Sequence, residues 1–190
     1  MRSRSPVVVV GLAVTMALVT AACGSSSPKT GQSGQYSTVT TSRVPLPAGK
    51  YPSEISKEVC HAEAQHDILE ALGVKPVRIS TPTWVNHLYS CTYEYPNGSF
   101  TLSVKELSSW SQTLGYFRGL GHQFGITRSL GNLGQGAFSE TDGSVVVRKD
   151  WKVLTVDITG LPDQFGAPPT KSSDIAVTVA DVILGCWAGD

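Results

Sequence analysis

The chain has 190 residues, and its 15 Lys and Arg are matched by 15 Asp and Glu. A balanced charge, with no basic block beyond the first few residues, excludes the electrostatic footprint of a nucleic-acid-binding surface. No self-similarity recurs at a spacing of about 20 to 50 residues, which excludes solenoid and propeller arrays.

The first residues fall into three zones. Arg2 and Arg4 carry positive charge, Val7 to Val19 form an apolar run, and Thr20-Ala21-Ala22 end it with small residues before Cys23. This is the layout of a secretory signal over residues 1–22. The apolar run is short of the ~20 helical residues that the hydrocarbon core of a bilayer demands, so a permanent transmembrane helix is not expected. Ala21-Ala22-Cys23-Gly24, followed by three serines, resembles the lipobox of bacterial lipoproteins and departs from it at Thr20, where leucine or valine is commoner. The resemblance implies cleavage just before Cys23 and a diacylglyceryl group on its thiol. The chain would then sit at the extracytoplasmic face of the cell membrane, with the membrane as its first partner. Each buried methylene of the acyl chains would add about 0.8 kcal/mol to that attachment. The other reading is a secreted protein cleaved after Ala22 that keeps a chance cysteine.

Residues 23–50 read as the lipidated cysteine and a linker. Gly, Ser, Thr, Gln and Pro dominate there, and such a segment buries too little apolar surface to offset its ordering entropy. As a coil it would hold the following domain on the order of 30 Å from the membrane. Residues 51–190 have the size of a single domain.

Outside the cytoplasm, cysteines close enough to pair usually do. Cys60, Cys91 and Cys186 allow one bridge and one leftover. Cys60–Cys91 is the preferred pair, because a helix followed by a strand should pack face to face. That bridge would contribute on the order of 3 kcal/mol by the chain-entropy model. Cys186 would then be buried and reduced, or available for an intermolecular bridge.

The first element reads as one helix from Ser53 to Leu72. Ser53 is the N-cap, Glu54 suits the positive end of the macrodipole, and Gly73 is the stop. Ile55, Val59, Ala62, Leu69 and Leu72 would form its apolar stripe. After Pro76 and Pro82, Tyr89, Cys91, Tyr93 and Tyr95 alternate with polar residues. Pro96-Asn97-Gly98 turns the chain, and Phe100, Leu102 and Val104 resume the alternation, which predicts a hairpin. A second helix is expected over residues 108–124, weakened by Gly115, Gly119 and Gly121. Residues 137–141 and 144–149 predict a second hairpin around Asp142-Gly143. Asp150-Trp151 then turns into a strand over 152–159, with Leu154, Val156 and Ile158 on one face and Val153, Thr155 and Asp157 on the other. A last helix runs from Ser173 to Cys186 and buries Ile175, Val179, Val182, Ile183 and Cys186. The fold class is therefore α+β, an antiparallel sheet built from two hairpin units and covered by about three helices.

Several short motifs taken together are familiar. They are Val59-Cys60 on a helix, Cys91-Thr92-Tyr93 on the first long strand, Leu133-Gly134-Gln135-Gly136-Ala137-Phe138 before the second hairpin, and Val145-Val146-Val147-Arg148-Lys149 leading into a hydrophobic strand. Over residues 55–187 they resemble a group of small actinobacterial cell-envelope lipoproteins with a domain of unknown function. The resemblance implies one cysteine near the first helix and another in the first strand, in keeping with Cys60–Cys91. It carries no catalytic residue with it, and Cys186-Trp187 lies outside its pattern.

Chemistry-bearing motifs are sparse. His66, with Glu63 three residues before it, is the best-placed histidine. A histidine hydrogen-bonded at the edge of the core is the better reading, because metal sites need two or more further ligands. No Gly-x-Ser-x-Gly elbow, P-loop or cofactor fingerprint occurs, so neither metal nor cofactor is expected. Trp151, between Asp150 and Lys152, would expose its indole in a turn and is the candidate interaction residue. Two functions remain. The first is a non-catalytic binding or accessory module for an envelope partner or a lipid-like ligand, with Tyr89, Tyr93, Phe100 and Leu102 either lining a groove or filling the core. The second is an envelope hydrolase, for which His66 and Glu63 would be the first acid–base candidates.

Overall fold

The computed structural model describes residues 45–187. The signal segment, Cys23 and most of the expected linker lie outside the described residues. Two helices, α1 (Glu54–Glu58) and α2 (Ala62–Leu72), come first. They are followed by β1 (Arg78–Ile79), β2 (Thr83–Val85), β3 (Leu88–Tyr95) and β4 (Gly98–Glu106). Helix α3 (Trp110–Phe124) leads to β5 (Arg128–Leu130), β6 (Gly136–Ser139), β7 (Val145–Lys149) and β8 (Lys152–Asp157). The small pair β9 (Gln164–Phe165) and β10 (Thr170–Lys171) precedes α4 (Ser172–Cys186). The architecture is the expected α+β class, with a larger sheet than two hairpins.

The main sheet is antiparallel throughout and runs β1-β3-β4-β8-β7-β6-β5, with β2 also pairing with β3. Period-two alternation gives it two unlike faces. Cys91, Tyr93, Phe100, Leu102, Val104, Leu154, Val156, Val145 and Val147 point to one face and meet α2 and α4 in the main core. Phe138, Val146 and Val153 point to the other, where Leu107, Tyr116, Phe117 and Leu120 cover them from α3 and the loop before it. The predicted split of β8, Leu154, Val156 and Ile158 against Val153, is the observed one.

The expected single N-terminal helix is two. Helix α1 ends at Glu58, with Val59 as its C-cap, and α2 starts after His61, its N-cap. The break leaves the Val59 and Cys60 carbonyls without helical partners. The Tyr93 hydroxyl donates to Val59 O at 2.8 Å, and the Gln65 side chain to Cys60 O at 2.8 Å. Cys60 and Cys91 meet at disulfide distance, with S–S 2.16 Å and Cα–Cα 6.0 Å. Because the helix restarts, its phase restarts too. The buried stripe of α2 is Ala64, Ile68 and Leu72, while Ala62 is exposed and Leu69 half-buried. Gly73 closes α2 in the left-handed conformation (φ +65°), and a β-carbon there would lie 2.3 Å from the Ala167 carbonyl oxygen.

The start of α1 is fixed from the sheet. Buried Glu106 at the end of β4 accepts from Ser53 N at 2.8 Å and from the Ser56 hydroxyl at 2.5 Å, at the positive end of the helix. The chain ahead of it is tied down from Ala48, whose N–H donates to Leu107 O, and the Trp84 indole donates to Lys50 O. Ala48 and Lys50 are thus already bonded to the body of the domain.

Glu140, in the turn between β6 and β7, is 5 % exposed, and its Oε1 has no hydrogen-bond partner among the described residues. Burial, followed by the charges of Asp142 and Asp157, raises its carboxyl from 4.5 to about 7. The fold therefore favours the protonated acid more than the unfolded chain does. That contribution is fully present below about pH 4.5 and is lost as the pH rises through about 7.

Two outcomes are expected. Replacing both Cys60 and Cys91 with alanine should lower the unfolding free energy in denaturant titrations by about 3 kcal/mol. Unchanged stability would mean that the bridge constrains nothing. Glu140→Gln should flatten the dependence of stability on pH between about pH 5 and about pH 8, and should gain up to about 3 kcal/mol over the parent at the alkaline end. A parent whose stability rises over that interval, with the variant following it, would contradict the buried neutral acid.

Candidate functional site

Helices α2 and α4 pack side by side on the sheet, and residues toward the C-terminal ends of both line an open groove of about 690 Å³. Asp67, Glu70 and Ala71 line it from α2, Asp181, Val182, Leu184 and Gly185 from α4, and Lys149 from the end of β7. Asn132 and Gly134, in the loop before β6, close one side. The phase of each helix sets this lining. With Ala64, Ile68 and Leu72 buried, α2 must turn Glu70 outward, and α4 buries Ile175, Val179 and Ile183 and leaves Asp181 in solvent.

Three acidic residues and one lysine therefore line the groove. The Lys149 Nζ is held at the C-terminal end of α4, where it donates to Trp187 O at 3.0 Å, as suits the negative end of a helix. The Cys186 thiol lies 3.7 Å from Asp67 Oδ2, so it stitches the end of α4 to α2 rather than serving in the disulfide. Glu70 Oε1 is 3.3 Å from His66 Nε2 in an exposed pair. Ala71, Val182 and Leu184 give the groove an apolar component beside its acidic groups.

The residues singled out in the sequence are distributed differently. His66 is exposed instead of lying at the core edge, because the restart of the helix after His61 rotates it off the buried stripe. Glu63 lies with Glu58 and His61, whose ligand-type atoms are all within 4.8 Å of one another at the α1–α2 junction. A continuous helix hides this grouping, since it would place Glu63 about 140° around the axis from Glu58 and about 160° from His61. Tyr93, Phe100 and Leu102 are core; Tyr93 and Phe100 stack with ring centroids 4.9 Å apart, and Tyr89 is half-buried.

Trp151 does not present the exposed indole expected of it. It is half-buried, and its carbonyl accepts from Leu107 N at 2.8 Å, because the strand leading out of β4 folds across the turn. Trp187 is buried in the main core, and the tryptophan that projects most is Trp110, 47 % exposed at the first position of α3. Neither the groove nor the setting of Trp110 could be read from spacing, since each joins segments far apart in sequence. No family model matches this chain, and neither a curated protein nor a solved structure matches it.

Proposed function

We propose that the chain is a lipid-anchored, extracytoplasmic binding module, and that the partner it holds presents a cationic group to the α2–α4 groove. The lipobox-like Ala21-Ala22-Cys23-Gly24 supports the anchor, and the resemblance to cell-envelope lipoproteins agrees with it. The groove carries the reading: it is concave, about 690 Å³ in volume, and sets Asp67, Glu70 and Asp181 against the single Lys149. An amine or guanidinium would find carboxylates on two helices, while the apolar parts of the lining accept the stem that carries it. Tyr93 and Phe100, which could have lined a lipid chamber, are stacked on one another in the core, which favours a partner with charge over an apolar ligand.

The reading makes a concrete forecast for a trilysine probe titrated into the isotopically labelled full chain. Amide resonances of Glu70, Ala71, Asp181 and Gly185 should move together and saturate. The double variant Glu70→Gln, Asp181→Asn should bind about tenfold more weakly, which corresponds to about 1.4 kcal/mol. Shifts spread evenly over all exposed carboxylates, or an affinity indifferent to the double variant, would remove the groove as the binding site.

A further inference from the structure

Arg148 sits on the opposite face of the sheet from the groove, and its surroundings are unusual for an arginine. It is 8 % exposed. Its Nη2 donates to the Gln135 carbonyl, while Nε and Nη1 are buried with no hydrogen-bond partner among the described residues. No carboxylate pairs with it among the described residues. The Trp110 ring lies over the guanidinium at 4.1 Å, and the Phe117 ring lies 5.7 Å away. The glycines of Gly134-Gln135-Gly136 let the backbone close in from the other side: a β-carbon at Gly136 would come within 3.1 Å of Arg148 Nη2.

A buried charge without a counter-charge is costly, and aromatic stacking offsets only part of that cost. Nothing in the packing requires a cation at this point. Its neighbours on the same face, Val146, Val153 and Phe138, are apolar. The nearby charge is positive as well: after burial, the Arg118 guanidinium on α3 is what pulls Arg148 below its usual range. The N-terminus of α3, a 15-residue helix, begins at Trp110 itself and adds the positive end of its dipole. Two guanidinium groups and a helix N-terminus with no acid among them make a setting complementary to a doubly charged oxyanion.

We propose that Arg148 is the anchor of a phosphate-binding site and that Trp110 is its movable cover. The indole is half in solvent at the first turn of α3, so it can rotate away without disturbing the small core of Phe138, Val146 and Val153. Rotation clears the side of the guanidinium that the ring occupies, and a phosphate group takes the place of the ring and accepts from whichever unsatisfied donor, Nε–H or Nη1–H, turns toward it. The phosphate can belong to the headgroup of an anionic phospholipid or to a soluble phosphate ester; the chemistry recognised is the same. This site is independent of the α2–α4 groove.

The test uses the full chain carrying Cys23→Ser, so that no acyl group confuses vesicle binding. Inorganic phosphate is titrated at constant ionic strength while the Arg148 Nε–H and Trp110 indole resonances are followed. Both should shift on one saturating curve, and Arg148→Met should abolish the response. Removing the cover with Trp110→Ala should tighten phosphate binding about tenfold, because the competent conformation no longer competes with the stacked one. That variant alters an exposed side chain and stays informative if Arg148→Met fails to fold. Absence of a saturable shift, a shift equalled by chloride, or weaker binding by Trp110→Ala would each overturn the proposal. Sedimentation with phosphatidylglycerol vesicles against phosphatidylcholine vesicles then identifies the source. Arg148-dependent binding to the anionic vesicles assigns a lipid headgroup, and indifference to vesicles alongside a phosphate response assigns a soluble ester; the site stands in both cases.

Discussion

The helix break at Val59 to His61 is the constraint on which the rest of the helical face depends. A broken helix leaves carbonyls that must find donors, and a buried unpaired carbonyl costs about 1–3 kcal/mol. Tyr93 and Gln65 supply those donors, and the Cys60–Cys91 contact fixes the break to the middle of β3. Because the break is pinned, the phase of α2 is pinned, and with it the side that α2 offers to α4. The acidic groove between the two helices is a remote product of one phenol and one pair of sulfurs.

The sheet divides the molecule into unequal parts. Its helix-covered face is a continuous apolar core from Tyr95 to Ala137, whereas on the other face α3 covers only the strands in the β7–β8 region. Under β3 and β4 that second face carries Ser90, Thr92, Thr101 and Ser103, and hydroxyl pairs such as Thr92 with Thr101 (3.0 Å) bridge the strands. Where apolar cover ends and polar surface begins, Arg148 lies under Trp110. The two candidate sites thus occupy opposite faces of β7, set by the alternation of Arg148 and Lys149 on one strand.

Much of the fold was legible because local rules suffice for it. The β3–β4 hairpin follows from four alternating aromatic and cysteine positions ahead of Pro96-Asn97-Gly98, and β8 from its period of two. Helix α4 was placed to within a residue by its apolar spacing, although Val182 and Cys186 proved half-buried. What escaped was set by long-range partners. The break after Val59 has no glycine or proline to announce it, and the donor that satisfies its freed carbonyl is a tyrosine 34 positions later. Short strands such as β1, β2 and β5 exist only because β3 and β6 offer them an edge, so their own sequences carry little signal. The sites suffered most: His66 followed a helical phase that the break cancels, and Trp151 was judged by its turn without the segment that crosses it.

The margins of the sheet bear on how anything can approach this molecule. The outer side of β3 is not one open strand. Thr83–Val85 occupies its first part and Arg78–Ile79 its last, and between them Thr92 bonds with Ser80 through both its N–H and its carbonyl. Pro82 interrupts the cover, and the opposite margin is the three-residue β5, which begins at the exposed Arg128. Broken, short and charged margins deter an incoming strand from extending the sheet. Many copies crowded on one surface would slide past each other without zipping into a shared ribbon. Under the proposed binding role, recognition would fall to side chains on the two faces, through charge and shape instead of backbone ladders.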